Sequence, residues 1–360
     1  MILRDKVVLI TGGTGSFGQG FVKKLLQTDV QVIRIFSRDE HKQKDMEEKF
    51  PDSRLRFFLG DIRDKDRIRL AMRDVDYVIH AAAYKQVQKA EYNPGEAIKT
   101  NIYGTENVVA AALENNVETM LLVSTDKAVQ PINLYGATKM CAERYVIAAN
   151  SYRGKGRTKF CVTRYGNVAG TRSTVVPLFF ELKLSGKHIP ISDKESTRFW
   201  LTLEEANEFV LNCLDLERQL HGGEIFIPLL ASIKIIDLKE VIAPELPVVF
   251  TGLRPGDKLH ETLVSATEMK RTLRLDWCSI PMFIICPENP SWFTDYHGID
   301  AKCALGDHKL LPGYNSENNS NFLPVNKIRE SVKEWFVNGW HKTNDRTRKN
   351  ALDTAKKVYS

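Results

Sequence analysis

The fold is indicated by a stretch near the start of the chain, which reads Lys6-Val7-Val8-Leu9-Ile10-Thr11-Gly12-Gly13-Thr14-Gly15-Ser16-Phe17-Gly18. Its first half is a short apolar run rich in β-branched residues, which predicts a buried parallel strand. After the glycines, Phe21, Val22, Leu25 and Leu26 recur at helical spacing, which predicts a helix over 17–28. A strand, a glycine-rich turn and a helix in this order predict the first part of a βαβ unit.

The same alternation continues along the first half of the chain. Short apolar runs predict strands at 31–36, 56–59, 77–81 and 120–124, and amphipathic stretches predict helices at 64–72, 94–115 and 136–152. Strands that alternate with helices predict an α/β fold, with a doubly wound parallel sheet and right-handed crossovers. We therefore expect a Rossmann domain over residues 1–166, with room for later returns of the chain.

The pattern changes after residue 166. Prolines and mixed signals appear, and helices are predicted at 176–185 and 203–216. These features predict a smaller, partly interleaved substrate domain over 167–290. The remaining residues, 291–360, are predicted to form a C-terminal extension with a short helix within 322–340 and a basic tail.

The composition of the 360 residues is ordinary for a soluble globular protein, with 43% hydrophobic and 27% charged residues. Of the net charge of +6, +4 lies in the last twenty residues, which argues against a nucleic-acid-binding face on the rest of the chain. No apolar run is long enough to predict a membrane span. The chain enters its first strand directly, and its six cysteines stand singly, so we expect reduced thiols and a cytoplasmic protein.

The glycine-rich loop carries the spacing G-x-x-G-x-x-G. Glycine permits a tight turn and lets backbone N–H groups approach a pyrophosphate, which the N-terminus of the following helix also favours. The loop therefore predicts a dinucleotide site, whose candidate residues are Gly12, Thr14, Gly15, Ser16, Phe17 and Gly18.

The end of the second strand bears on the choice of cofactor. It reads Ser37-Arg38-Asp39, and Arg38 can pair with a 2′-phosphate, so NADP is favoured over NAD. Asp39 keeps NAD open, and Arg38 can also be a solvated loop cation. Asp61 either caps the adenine or is a helix N-cap. The other candidate cofactor residues are Lys42, Ile62, Ala81 and Ala82.

A candidate catalytic group follows the strand at 120–124. Thr125-Asp126-Lys127 lies at its end, and Tyr135 and Lys139 are four residues apart, so on a helix they share one face. A lysine ammonium beside a phenol is expected to lower the pKa of Tyr135 from about 10, which would make it a general base. Lys139 can also hold the cofactor ribose. The alternatives are a surface Tyr–Lys pair and, for Asp126 and Lys127, a simple ion pair.

Together these motifs resemble the extended short-chain dehydrogenase/reductase family. Within that family, Asp126-Lys127 and the run Asn133-Leu134-Tyr135-Gly136-Ala137-Thr138-Lys139 resemble the soluble inverting UDP-N-acetylglucosamine 4,6-dehydratases, which make the first intermediate of pseudaminic acid. The hexose-retaining dehydratases carry Asp-Glu instead of Asp-Lys. The resemblance covers about residues 1–330 and includes 83–87, 164–168, 197–200, 222–226, 243–247 and 254–261.

The resemblance implies a reaction and a set of site residues. Tyr135 and NADP would oxidise C4, Lys127 would remove the C5 proton, Asp126 would protonate the departing 6-hydroxyl, and hydride would return to C6. Thr125 would belong to the catalytic group, and Asn101 would lie near the catalytic tyrosine among the cofactor residues. A UDP-sugar substrate and a homo-oligomer are implied, with substrate contacts from Lys85, Asn167, Val168, Arg198, Arg254 and Glu261.

Two positions depart from the family pattern. Tyr84 stands where a smaller apolar residue is expected, and Thr171-Arg172-Ser173-Thr174 replaces a more glycine-rich stretch. These departures leave the exact sugar open. A retaining dehydratase, a 4-epimerase and a non-catalytic NADP-sensing scaffold stay open as alternatives to the inverting dehydratase. None of the eight histidines forms H-x-x-x-H spacing, so we expect no metal site.

Overall fold

A computed structural model gives the structure of the protein and describes residues 3–171, 174–288 and 312–337, without the side chains of 336 and 337. Arg172, Ser173, Cys303 and the basic tail lie outside the described residues. The described residues form fifteen strands: β1 (Val7–Thr11), β2 (Val32–Ser37), β3 (Leu55–Leu59), β4 (Tyr77–His80), β5 (Thr119–Val123), β6 (Lys159–Thr163), β7 (Ile189–Ile191), β8 (Thr197–Trp200), β9 (Ile225–Pro228), β10 (Ala231–Lys234), β11 (Val248–Phe250), β12 (Thr262–Ser265), β13 (Thr272–Trp277), β14 (Ile280–Ile285) and β15 (Gly313–Asn315).

The same parts of the chain form twelve α-helices: α1 (Ser16–Leu25), α2 (Glu40–Lys49), α3 (Lys65–Ala71), α4 (Val87–Tyr92), α5 (Pro94–Ile98), α6 (Gly104–Glu114), α7 (Leu134–Ala148), α8 (Val175–Leu184), α9 (Leu203–Glu217), α10 (Ile235–Ile242), α11 (Ala266–Met269) and α12 (Val325–Val337). A π-helical turn, Lys99–Tyr103, joins α5 to α6, and 3-10 turns lie at Asp126–Ala128 and Ala149–Ser151.

Nine strands form one sheet, in the order β13-β14-β9-β6-β5-β4-β1-β2-β3. The strands from β9 to β3 are parallel, whereas β14 and β13 add an antiparallel hairpin at one edge. The order β3-β2-β1-β4-β5-β6 is that of doubly wound nucleotide-binding folds, in which ligands bind where the strand order reverses, here between β1 and β4. The predicted doubly wound α/β fold is confirmed.

The apolar runs of the sequence form the centre of this sheet. Val8, Leu9 and Ile10 of β1 are fully buried, since helices cover both faces of a parallel sheet. β13 instead alternates buried and exposed residues, as an antiparallel edge strand does, and it lacks the continuous apolar run by which the central strands were predicted.

The chain divides into two compact units. The first contains the described residues within Met1–Tyr165, Glu204–Leu229 and Thr262–Tyr314, and the second contains those within Gly166–Leu203, Leu230–Glu261 and Asn315–Ser360. The chain thus leaves the first unit at residue 166 and returns to it twice.

The second unit has its own apolar core. Phe179 of α8, Ile189 of β7, Leu238 of α10 and Ile328 of α12 are all buried in it. In this unit β7 pairs with β11 and β8 pairs with β10, each in a two-stranded sheet. Within the described ranges, no helix combines the length and the apolar character that crossing a bilayer requires.

Candidate active site

The glycine loop joins β1 to α1 beside the point where the strand order reverses. Gly12 has a φ of +69°, and a Cβ there would lie 2.9 Å from the Cα of Ala82, just after β4. A Cβ on Gly18 would lie 2.5 Å from the Cα of Gly13. Both positions therefore require glycine, which lets the loop lie directly against Ala81 and Ala82.

The start of α1 fits a pyrophosphate group. Gly15 is the N-cap, and Ser16, Phe17 and Gly18 form the first turn, which contains no acidic residue. The first N–H groups of a helix have no partner within it and attract an anion. The neighbouring Thr14 is buried, and its carbonyl accepts a hydrogen bond from the Gln19 side chain at 3.1 Å.

The polar residues at the end of β2 and directly after it make different contacts. Asp39 caps α2, because its carboxylate accepts from the Lys42 backbone N–H at 3.0 Å and lies 2.5 Å from Lys42 Nζ. The hydrogen bond from the Lys42 side chain is the largest influence that lowers the pKa of Asp39. Ser37 Oγ accepts from the buried Gln43 amide at 3.0 Å. Arg38 is 58% exposed, with Nη1 3.5 Å from Asp61.

Asp61 stabilises a turn and does not cap a helix. Its carboxylate accepts from the backbone N–H of Arg63 at 2.9 Å and from Arg63 Nη2 at 2.7 Å. The N-cap of α3 is Asp64, so the N-cap interpretation of Asp61 was wrong. The next residue, Ile62, is buried against Gly104, where a Cβ would lie 2.7 Å from its Cδ1.

The catalytic residues proposed from sequence meet after β5. Asn133 caps α7 by accepting a hydrogen bond from the Gly136 N–H at 2.8 Å. Gly136 allows close approach of the helix, since a Cβ there would collide with the carbonyl oxygen of Lys127. Tyr135, in the first turn of α7, therefore lies beside the 3-10 turn, and its phenol is hydrogen-bonded with the Thr125 hydroxyl.

Burial controls the ionisation of Tyr135. It raises the pKa of the phenol to about 12, and the charge of Lys127 and the hydrogen bond with Thr125 offset only part of this effect. The expectation that Lys139 lowers this pKa below 10 was therefore wrong, because desolvation of the phenolate outweighs the nearby charges. Lys139 itself donates to the Val123 carbonyl at 2.9 Å, and burial lowers its pKa to about 8.

Asp126 and Lys127 form an ion pair in this structure. Lys127 Nζ lies 3.1 Å from Asp126 Oδ1, which also accepts from the Thr125 hydroxyl at 2.9 Å. Asp126 is fully buried, whereas the Lys127 side chain is 18% exposed. The acid and base candidates are therefore in direct contact, and the lysine amine has access to a ligand.

Asn101 holds the chain after β4 against the catalytic helix. The helix predicted over 94–115 is interrupted by the π-helical turn that contains this residue. Asn101 Oδ1 accepts from the Tyr84 N–H at 2.7 Å, and Nδ2 donates to the Tyr84 carbonyl and to Thr138 Oγ1, both at 3.0 Å. The Tyr84 side chain packs in the same small cluster as Tyr135.

Sequence reasoning missed the buried His80. Thr11 Oγ1 lies 2.6 Å from Nδ1 of this ring, and Thr105 Oγ1 lies 3.0 Å from Nε2 and donates its own proton to the Asn101 carbonyl. Nε2 therefore carries the proton. Burial lowers the pKa of His80 to about 3, so the ring is neutral. The sequence offered one indication of this residue's role, namely that it is a polar residue at the end of an apolar strand.

A buried ionic cluster behind α7 was also missed. It joins Glu143 of α7, Arg164 after β6 and Glu268 of α11, whose side chains are mostly or fully buried. The three residues lie up to 125 positions apart in the chain, and no local pattern connects them.

The substrate candidates are distributed over both units. Lys85 is exposed in the first unit, and Asn167 is exposed in the second. Val168, also in the second unit, forms a bridge with Leu201. Among the described residues, no group of three His, Cys, Asp or Glu side chains is arranged as metal ligands would be.

Arg198 and Glu261 are brought together in the second unit, with Arg198 Nε 3.7 Å from Glu261 Oε1. The Arg198 guanidinium also donates to the carbonyls of Thr197, Leu259 and Lys258, at 2.6, 2.9 and 3.1 Å. It therefore holds the segment before Glu261. Arg254 lies on an exposed turn, paired with Asp257 at 2.7 Å.

Comparison with known proteins identifies the family of the chain. Residues 8–280 match the family model of the polysaccharide biosynthesis proteins. The chain belongs to this family. It is 50% identical over 337 residues to the inverting UDP-N-acetylglucosamine 4,6-dehydratase of Campylobacter jejuni, a match that covers 92% of this chain and 98% of that protein. The resemblance to the extended short-chain dehydrogenase/reductases is thereby confirmed.

Two further relatives widen the comparison. A UDP-glucose 4-epimerase of Rickettsia prowazekii is 42% identical over 275 residues, which are 74% of this chain and 80% of that protein. The solved structure of Pen from Bacillus thuringiensis is 36% identical, with a TM-score of 0.81, and the match covers 93% of this chain and 99% of that one.

Proposed function

We propose that the protein is an NADP-dependent UDP-N-acetylglucosamine 4,6-dehydratase that inverts C5 and forms a UDP-4-keto-6-deoxy-L-hexosamine. The observation that carries this proposal is the contact between Asp126 and Lys127 beside Tyr135. The inverting dehydratase of Campylobacter jejuni, 50% identical over nearly its whole length, supports it.

Oxidation at C4 needs a base and a hydride acceptor. A bound nicotinamide dinucleotide supplies the reversible hydride acceptor. Tyr135, after its phenol has lost its proton, would take the proton from the 4-hydroxyl, with Thr125 orienting the ring through their hydrogen bond. Lys139, from the same face of α7, would hold the cofactor ribose. The resulting C4 ketone makes the C5 proton acidic.

Elimination then needs a neutral amine and a protonated carboxyl group. Transfer of one proton from Lys127 to Asp126, across the 3.1 Å contact, produces both forms at once. Lys127 would remove the C5 proton, and Asp126 would protonate the departing 6-hydroxyl. The hydride taken from C4 would return to C6 of the unsaturated ketone, and reprotonation of C5 on the opposite face would then give the inverted sugar.

The cofactor site supports NADP over NAD. The glycine loop and the start of α1 fit the pyrophosphate, and Asp39, the residue that could accept a hydrogen bond from a ribose 2′-hydroxyl, is engaged in capping α2. Arg38 is exposed beside it and can form a charged pair with a 2′-phosphate. The remaining cofactor candidates, Ile62, Ala81 and Ala82, lie around the end of β4 and the turn after β3.

The proposal also covers the substrate contacts, the cellular location, the oligomeric state and the fate of the product. The UDP-sugar would be contacted by the candidates Lys85, Asn167, Val168, Arg198, Arg254 and Glu261. We further propose that the enzyme acts in the cytoplasm as a homo-oligomer and that its product leads towards pseudaminic acid.

A 4-epimerase is the second candidate, because the Rickettsia prowazekii relative carries that name. Epimerisation at C4 needs a base and a hydride acceptor but no acid–base pair for loss of water. The paired Asp126 and Lys127 therefore favour dehydration.

Incubation of the purified protein with UDP-N-acetylglucosamine in deuterated water, followed by NMR of the product, tests the proposal. We expect a 4-keto-6-deoxy sugar with deuterium at C5, inverted configuration and no net formation of NADPH. A product that keeps its 6-hydroxyl and changes only at C4 would show an epimerase. Retained configuration at C5 would show a retaining dehydratase.

A further inference from the structure

The buried cluster behind α7 is tightly bonded. Arg164 Nη2 donates to Glu143 Oε2 at 2.6 Å and to Glu268 Oε1 at 3.0 Å, and its Nε donates to Glu143 Oε1 at 3.2 Å. The hydroxyl of Ser124, directly before the catalytic turn, donates to Glu143 Oε1 at 2.5 Å. We call Glu143, Arg164 and Glu268 the buried triad.

The triad carries an excess negative charge. Although burial lowers the pKa of Arg164, Glu143 and Glu268 raise it above its ordinary value, so the guanidinium stays charged. Burial raises the pKa of Glu268, but Arg164 and the Ser265 hydrogen bonds lower it further, so this carboxylate is ionised. Glu143 accepts hydrogen bonds from the same guanidinium through both of its carboxylate oxygens, so two carboxylates face one guanidinium. A net charge in a buried position is costly unless an opposite charge lies nearby.

Lys139 is placed to balance that charge. It precedes Glu143 by four residues on α7, so the two side chains lie on one face of the helix. Its side chain is buried, and its ammonium donates to the neutral Val123 carbonyl. The triad together with Lys139 has no net charge.

We propose that the buried triad keeps Lys139 protonated within the active site. Glu143, Arg164 and Glu268 are then positioning residues, which act on the substrate and cofactor only through Lys139. The inference rests on the proposed function in one respect, the requirement for a charged Lys139 in C4 oxidation.

The other groups that face Lys139 do not supply this excess charge. His80 of β4 is neutral, and Tyr135, on the same helix, keeps its proton because burial raises its pKa to about 12. Asp126 and Lys127, in the turn after β5, form an ion pair with no net charge. The negative charge acting on Lys139 therefore comes from the triad, and Glu143 is the group that raises its pKa against burial.

The matched test changes one charge of the triad. Glu268→Gln removes the excess charge and leaves the contacts between Glu143 and Arg164 in place. The alkaline limb of the kcat/KM pH profile should move down by about one pH unit, because Lys139 loses its proton more readily. Glu288→Gln is the control, since it makes the same chemical change at a carboxylate that is 61% exposed, and it should leave the limb in place.

A second readout needs neither cofactor nor activity. The pKa of Lys139 is about 8 in the folded chain and 10.5 in its ordinary state, so the unfolded chain binds more protons between these values. The cost of burying the ammonium is present below about pH 8 and is relieved as the pH rises towards 10.5, so the Tm should gain a rising contribution over this window. In Glu268→Gln the rise should begin about one pH unit lower.

A Lys139→Met background completes the test. In that background, Glu268→Gln should no longer change the pH dependence of the Tm between about pH 8 and 10.5, because the group that titrates in this window is gone. Glu268→Gln could instead lower kcat/KM equally at every pH, without moving the alkaline limb of the profile or the pH range over which the Tm rises. That result would mean that the triad is only structural. If Glu268→Gln does not fold, Glu143→Gln makes the same change in charge closer to Lys139 and must give shifts in the same direction that are at least as large.

The two proposals can fail separately. If the protein does not dehydrate UDP-N-acetylglucosamine but the Tm window shifts and the shift disappears in the Lys139→Met background, the dehydratase proposal fails and the triad inference stands. If dehydration occurs and the window does not shift, the triad inference is wrong.

Discussion

Replacing Lys127 in two ways should separate oxidation at C4 from elimination across C5 and C6. Lys127→Arg keeps the cation, but a guanidinium cannot lose its proton near neutral pH and so cannot remove the C5 proton. Lys127→Ala removes both the base and the charge. The charge matters because burial raises the pKa of the Tyr135 phenol, and Lys127 is the strongest of the influences that lower it.

The structure sets the size of each effect. Loss of the Lys127 charge should raise the pKa of Tyr135 by about one unit and slow C4 oxidation roughly tenfold. Loss of the base should slow elimination about 10²–10⁴-fold in both variants. Lys127→Arg should therefore oxidise C4 at nearly the normal rate and then stop, whereas Lys127→Ala should oxidise more slowly and also stop.

Single-turnover absorbance of the reduced nicotinamide measures the first step, and NMR of deuterium at C5 measures the second. We expect NADPH to accumulate on both variants, with no 6-deoxy product and no exchange at C5. Loss of a general base should slow dehydration at least about 10²-fold. If either variant dehydrates the sugar at a rate within about tenfold of that of the unaltered protein, Asp126 and Lys127 are only an ion pair and the elimination mechanism is wrong.

The same site gives three further predictions. Tyr135→Phe should abolish both NADPH formation and C5 exchange, because no ketone forms; exchange that survives in this variant would show that another group oxidises C4. Arg38→Ala should weaken NADP binding by about 1.5–3 kcal/mol, or roughly ten- to hundredfold, with little effect on NAD, and calorimetric titration of both cofactors would reveal an equal loss if Arg38 does not contact the 2′-phosphate. Gly12→Ala should lower the Tm and weaken cofactor binding, because the left-handed backbone at φ +69° costs about 1–2 kcal/mol and the new Cβ lies 2.9 Å from Ala82 Cα. Gly95→Ala, where a Cβ would meet nothing within 4 Å, is the control and should leave both quantities almost unchanged.

The site differs from the sequence-based expectation mainly in its electrostatics. The spacing of Tyr135 and Lys139 suggested that the lysine activates the phenol. Instead, burial dominates the pKa of Tyr135, and Lys127 is the main charge that opposes it. Burial depends on everything packed around the residue, so it cannot be read from a spacing of four.

The hydrogen-bond partners of other site residues could not be predicted either, because they also depend on the tertiary structure. Asn101 was placed near the catalytic tyrosine by resemblance, but its bonds to Tyr84 and Thr138 depend on the π-helical turn that interrupts the predicted helix. Arg198 was expected to contact the substrate, and the structure shows it donating to three backbone carbonyls of its own unit. Its contact with a nucleotide stays a prediction.

The sequence by itself determined the features that repeat over a few residues. The buried strand β1, the glycine loop and the apolar face of α1 follow from local periodicity, because alternation and helical spacing are properties of neighbouring residues. Their order along the chain was enough to predict the parallel sheet and the cofactor loop. Only the tertiary structure decided the protonation of Tyr135 and Lys139 and the partners of Glu143. These depend on charges and desolvation contributed by segments such as Arg164 and Glu268, far away in the chain, and no local pattern carries that information.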